Sequence, residues 1–429
     1  MHLTADLHIH SKHSAATSKD LSIDTNALWA RRKGVNLIST GDITHPTHLE
    51  SIEKKLEPCP YGNSGFYVQK GIKADTPLRF MLTGEVSNIY NQNGRMRKVH
   101  NIIFAPDIDT VKKINKTLSR FGNLIIDGRP IFGFSSEELV KIVLDISEDS
   151  LIVPAHAWTP WYSLYGSRGG FDSLEECFGD YAKYIYAIET GLDSTPEMNR
   201  RLSGLDNITM LSNSDAHSPS KIGRQANVFE TDTFQSGNTG YKNITEIIKT
   251  RNGFLHTIDF YPEIGKYFND GHRACKVNLS YEESREHKGI CPKCRKTLTI
   301  GVKNRIEELA DRTEEEATTA HESGGIPTKL ISPLDEIISS ALQVGSKSKA
   351  VQKEYLKLTD HMESEFHVLL EATQDELIRV TSESITEGIL KAREGDFTIT
   401  PGFDGEFGKI SLFKKTRKRK EEEKQMSLL

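Results

Sequence analysis

The 429-residue sequence contains no run of eighteen apolar residues, which excludes an ordinary membrane-spanning helix. Its first residues, MHLTADLHIHS, lack the basic stretch and apolar core of a signal peptide. Cysteine is scarce and odd in number: Cys59, Cys177, Cys275, Cys291 and Cys294. That count argues against a disulfide framework and for a reducing compartment, so a cytoplasmic protein is expected. No membrane partner is expected, and the chain is expected to be monomeric. Net charge is also small, −5, which argues mildly against indiscriminate nucleic-acid binding but says nothing of local patches. No internal repeat is present. The 36% hydrophobic and 27% charged residues suit a soluble protein of two or three domains.

Apolar runs at Leu37–Thr40, Val99–Phe104, Leu151–Val153 and Tyr184–Ile188 read as buried strands, and Ser135–Leu144 as an amphipathic helix between two of them. Alternation of this kind predicts an α/β fold of parallel strands covered by helices, a barrel or an open sheet, with its chemistry at the strand ends. The domains are expected at 1–261, at 262–325 as a Cys/His-rich module, at 326–413 as a helical domain, and at 414–429 as a basic tail.

Chemistry-bearing residues cluster where strands should end. His8-x-His10 places two imidazoles on one side of an extended chain. Asp42 and His45 follow in Gly-Asp-Ile-Thr-His, then Glu85, His100, His156, Glu189 and the Asp215-x-His217 pair. Imidazoles interspersed with carboxylates suit two or three divalent ions, Zn, Mn, Mg or Fe. Ions so held acidify a bound water and neutralise a phosphate, pointing to phosphoester hydrolysis. Further on, His272-x2-Cys275 and Cys291-x2-Cys294 stand fifteen residues apart, the spacing of a structural zinc site, with His287 an alternative to His272 as fourth ligand.

The metal series resembles the polymerase-and-histidinol-phosphatase (PHP) family across residues 1–260. That resemblance implies a distorted (β/α)7 barrel with a trinuclear site. One ion would sit on His8, His10, Glu85 and Asp215; Glu85 would bridge to a second on His100 and His156; His45 and His217 would hold the third. Glu85, Asp215 and His217 would carry catalysis. Two departures stand out: two residues separate Asp42 from His45, and Ala16 occupies a position where some members have histidine, with His13, Asp20 or Asp42 as substitutes. The Gly-His-Arg-x-Cys and Cys-Pro-x-Cys knuckles, Leu298–Val302, Glu308–Arg312 and Pro401–Gly408 extend the likeness to the endonuclease Q family over almost the whole chain. It implies DNA repair by cutting the phosphodiester 5′ to deaminated bases (uracil, hypoxanthine, xanthine) or abasic sites. A small-molecule phosphatase of the PHP type and a non-catalytic DNA- or clamp-binding module are the alternatives.

The loop after His156 carries Trp158, Trp161, Tyr162 and Arg168, suited to stacking on an extruded base or to packing the rim. Lys221 and Arg224 suit either phosphate contact or a solvated surface. The run 414–420 has six positive charges in seven residues, a solvated tail or a phosphate contact. The last residues, Gln425, Met426, Ser427, Leu428 and Leu429, resemble the clamp-binding pentapeptide of bacterial replication and repair proteins, which would make a sliding clamp a partner.

Overall fold

The computed structural model describes residues 1–61, 64–72 and 76–412. The basic run from Lys414 and the clamp-like Gln425, Met426, Leu428 and Leu429 lie outside them. The chain divides into two compact units, Met1–Leu330 with Pro401–Phe407, and Ile331–Thr400 with the described residues from Gly408. The expected 262–325 module is thus part of the first unit, and Pro401–Phe407 leaves the helical region to join it. No helix among the described residues is long and apolar enough to cross a membrane.

The first unit is a mixed α/β structure rather than the all-parallel arrangement expected. Neighbouring strands run in the order Phe254–Phe260, Ala226–Glu230, His2–Asp6, Leu37–Ser39, Arg79–Gln92, Arg95–Ala105 and Leu151–Pro154. Only the two junctions flanking Leu37–Ser39 are parallel in that series; the others are antiparallel. One cause is local: Asn93 and Gly94 both take positive φ, +54° and +75°, and close a two-residue hairpin between the two longest strands. Asn-Gly is the pair that such a turn favours. A separate parallel pair is formed by Ala187–Glu189 and Thr209–Leu211. The run from Tyr184 begins later than expected, because Gly179–Tyr184 coils as a 3-10 turn before the strand opens at Ala187. Leu3, Ala5, Leu37, Met81, Ile102, Phe104, Leu151 and Val153 fill the core between sheet and helices.

The second unit is helical: Leu334–Leu342, Lys349–His361, Glu365–Leu370, Gln374–Val380 and Glu383–Glu394, with a two-stranded piece pairing Thr398–Thr400 and Lys409–Ser411. Ser348, Ser364, Thr373 and Ser382 each cap a helix by accepting from the backbone three residues on, which fixes where these short helices begin. Leu334, Ile337, Leu358, Val368, Leu377 and Ile389 are buried, so the periodicity in this region is that of a packed core.

Candidate metal centres and their surroundings

Glu85 and His100 lie inside the long hairpin and not at strand ends. In its register Glu85 stands opposite Ile102 and His100 opposite Ser87, so the two side chains are diagonal neighbours on one face. His100 Nδ1 is 2.7 Å and His156 Nε2 3.1 Å from the same carboxylate oxygen, Glu85 Oε1. The other oxygen faces His10 Nε2 at 3.4 Å and His8 Nε2 at 3.6 Å. Asp215 completes that side, 3.0 Å from His10 Nε2. Two metal-competent groups result, His8–His10–Glu85–Asp215 and Glu85–His100–His156, with ligand atoms within 4.8 Å of one another in each group and Glu85 common to both.

Local backbone geometry aims these groups. Asp42, His156 and Asp215 have φ of +44°, +29° and +46°. Side chains in the left-handed region are strained, and such strain persists where surrounding structure enforces it, often at functional sites. Each of the three follows a strand by a few residues, at the turn that folds its side chain back towards the cluster.

Charge explains why this cluster needs cations. Burial opposes ionisation of Glu85, yet His100, Arg129 and hydrogen bonds from His10 and His100 hold its carboxyl well below the usual range. Asp215 is likewise depressed, by His10, His217 and His8 against the cost of burial. Burial favours neutral rings at His8 and His10, but Glu189 and Glu85 at the first, and Asp215 and Asp42 at the second, draw protons onto them. Burial wins at His100, pushed down to about 4. Buried His8 Nε2 has no hydrogen-bond partner. A divalent ion fits these residues: it would satisfy that nitrogen and displace the protons the carboxylates attract.

Several residues expected as ligands lie behind the cluster. Glu189 is fully buried, 3.0 Å from His8 Nδ1, and accepts from the His156 backbone and Asn213. Asp42, also fully buried, faces His10 Nδ1 at 3.1 Å and accepts from Ser11 and Ser14. Each carboxylate fixes the ring nitrogen that does not face the cluster, which sets the tautomer of a ligating histidine. His45 does not meet His217. It caps the helix Pro46–Lys55, stacks on His13 with centroids 4.3 Å apart and lies 3.0 Å from Ile125 O. His217 sits at the rim against the His10 ring, centroids 4.7 Å apart, and Asp20 is exposed. Among the described residues no third group with metal-ligand geometry forms around His45 and His217.

Trp158 is a packing residue, 1% exposed, stacked on Tyr165 and donating to Asn199. Trp161 and Tyr162 are half-buried; Tyr162 lies 4.8 Å from the His100 ring, with Lys98 over its face. Arg224 donates to the carbonyls of Ser214 and Asp215, so it shapes the turn presenting Asp215. Arg129 was not apparent from the sequence. Its guanidinium lies 3.2 Å from Glu85, and a side chain on the preceding Gly128 would collide with Asp42 and Ser14. The Gly-Arg-Pro turn was the only available signal.

The Cys/His module is built on a small antiparallel pair, Asp270–His272 with Val277–Leu279. His272, Cys275, Cys291 and Cys294 form one metal-competent group, with His272 rather than His287 as the fourth member. At Cys291 burial is outweighed by backbone donors from Cys294 and Lys293, which lower its thiol to about 6 and favour the thiolate zinc requires. Asp404, in the returning segment, accepts from the Arg273 backbone and Thr299. The module also grips the aromatic loop: Arg168 donates to Leu298 O, Ser167 to Ile300 O, and Arg305 to the carbonyls of Tyr165 and Phe171.

Two solved structures superpose over nearly this entire chain. A lesion-specific endonuclease of Pyrococcus furiosus, PfuEndoQ, is 31% identical, with 96% of each chain covered and a TM-score of 0.80. An endonuclease Q bound to a 27-mer duplex substrate with an abasic lesion at its active site is 30% identical, covering 96% of this chain and 97% of the other, with a TM-score of 0.82. The chain belongs to the endonuclease Q family. Residues 333–396, within the helical unit, match the model of the MJ0043 C-terminal domain. Protein MJ0043 of Methanocaldococcus jannaschii is 32% identical over 276 residues; the match spans 63% of this chain but only 34% of that protein.

Proposed function

We propose that this chain is a metal-dependent DNA repair endonuclease, hydrolysing the phosphodiester 5′ to deaminated bases or abasic sites. The observation that carries the reading is the pair of metal-competent groups sharing buried Glu85, in a chain alignable end to end with endonuclease Q structures. Divalent ions on His8, His10, Glu85 and Asp215, and on Glu85, His100 and His156, would supply Lewis acidity and an acidified water for attack on phosphorus. The remaining chemistry belongs to the protein. Asp42 and Glu189 hold the histidines in one tautomer, Arg129 adds fixed positive charge beside Glu85, and His217 stands at the rim where a leaving or attacking oxygen can exchange a proton. Trp161, Tyr162 and Arg168, on the loop after His156, would receive an extruded nucleotide. The first unit is read as a distorted seven-stranded barrel, the parallel pair Ala187–Glu189 and Thr209–Leu211 bridging Leu151–Pro154 back to the N-terminal strand. This reading is supported by the bonds from Ala157 N to Glu189 O and from Leu7 N to the Asn213 side chain.

A small-molecule phosphatase would leave the Cys/His module and its grip on the aromatic loop without purpose. A non-catalytic module would not be expected to keep His8 Nε2 buried between the Glu85 and Asp215 carboxylates without a hydrogen bond. The test is incubation of metal-loaded protein with labelled duplexes carrying uracil, hypoxanthine, xanthine or an abasic site, beside undamaged duplex and histidinol phosphate. A nick confined to lesion strands supports the proposal; phosphate release from histidinol phosphate alone refutes it. For the clamp partner, a peptide spanning Lys418 to Leu429 should bind a bacterial sliding clamp and lose that binding in the Gln425→Ala, Leu428→Ala form.

A further inference from the structure

The segment joining the helix Ile108–Leu118 to the strand Ile131–Phe132 exposes two adjacent isoleucines at its tip, Ile125 at 66% and Ile126 at 80%. A single exposed aliphatic is ordinary, but large apolar side chains exposed together on one segment mark a surface that something covers. Phe121 and Ile131, 53% and 60% exposed, extend the apolar surface towards the base of the same segment. The segment is fastened to the metal cluster and its supports at every turn. Ile125 O lies 3.0 Å from His45 Nε2, Gly128 N donates to His13 O, Thr44 donates to Gly128 O, and Arg129 reaches Glu85. Asp127 braces it further by accepting from the backbones of Ala15 and Arg129. The backbone of an apolar tip is thus fixed beside the groups that would attack a phosphate.

We propose that Ile125 and Ile126 form a wedge that enters the duplex where the damaged nucleotide leaves it. The inference rests on the reading of this site as one that acts on an extruded nucleotide. Extrusion leaves a gap in the stack, and apolar side chains such as isoleucine fill gaps of this kind and keep the base from returning. The occupant is a base stack and not a protein surface because the tip is small and its anchors are the catalytic cluster itself. Arg120, exposed on the same segment, would add a positive charge for the backbone phosphates flanking such a gap.

The experiment uses the full, metal-loaded chain and the double variant Ile125→Ser, Ile126→Ser. Substrates are a fully paired duplex with uracil opposite guanine and one with the uracil in an unpaired bulge, already out of the stack. Cutting of the paired duplex should fall by about tenfold or more, because the cost of unstacking is no longer offset, while the bulged duplex is cut within about twofold of the parent. Ile126→Phe should retain cutting of the paired duplex. Unchanged cutting of the paired duplex, or equal losses on both substrates, would overturn the wedge. A 2-aminopurine beside the lesion reports extrusion separately. If the parent protein gives no fluorescence rise, the extrusion reading fails first. If parent and variant give the same rise and cut alike, the wedge alone fails.

Discussion

At Glu85 the arrangement concentrates its dependence on a single carboxylate: both oxygens face imidazoles from different elements, and Arg129 adds a further positive charge. Glu85→Gln removes the charge shared by both groups, so cleavage should fall by at least roughly a hundredfold while circular dichroism shows a folded chain. Metal analysis of the same protein should show fewer bound ions; full activity in a folded variant would refute the assignment. Asp42→Asn tests a subtler role. Asp42 touches His10 and not the cluster interior, so the variant should bind its ions about 10- to 100-fold more weakly yet recover activity at high metal concentration. Much of this scale was legible beforehand. The residues His8, His10, Glu85, His100, His156 and Asp215 stand out because chemistry-bearing side chains interrupt apolar runs. Spacing alone did not separate Glu85, which is common to both metal-competent groups, from Glu189 and Asp42, which face the far nitrogens of His8 and His10. For Trp158 the sequence left stacking and packing both open, because a fully buried aromatic and a stacking platform look alike in one dimension; the structure buries it.

Among the elements, the hairpin closed by Asn93-Gly94 shows what alternation conceals. Apolar runs mark strands but not their direction, and the turn pair that reverses the chain is two residues long. The Cys/His module is coupled to the aromatic loop by side-chain bonds to backbone carbonyls. Cys291→Ser should lower zinc content by one ion and loosen the carbonyl grips on the 158–171 loop. Cutting of lesion duplex should then fall, while the metals on His8 and Glu85 are retained; unchanged zinc stoichiometry would contradict this. Asp259, on the strand Phe254–Phe260, is raised to about 6 from the ordinary 3.8 by burial, which outweighs hydrogen bonds from Thr257, Ser212 and Gln225. The folded state therefore holds that proton more tightly than the unfolded chain. Stability from this group is fully present below pH 3.8 and is lost as pH rises through 6. The loss is roughly 3 kcal/mol. Asp259→Asn should flatten that part of the stability curve, as read by urea unfolding at several pH values.

Over the whole molecule, a mixed α/β unit carrying the cluster and the Cys/His module, together with a helical unit matched to the MJ0043 C-terminal domain, spans nearly the full length of both endonuclease Q structures. The change from mixed α/β to helical composition was readable in the sequence. The return of Pro401–Phe407 to the first unit was not, because Asp404 acts through backbone and hydroxyl partners more than a hundred residues away. If the substrate is an extruded nucleotide, uracil opposite guanine should be cut at least as fast as uracil opposite adenine, because a mispaired base costs less to unstack. The central claim is tested most directly by one gel: metal-stripped protein, given back each divalent ion in turn, with an end-labelled duplex bearing a single uracil and its undamaged counterpart. The account predicts one metal-dependent nick 5′ to the uracil and an intact undamaged strand. Equal cutting of both duplexes, or no cutting with any ion, would contradict it.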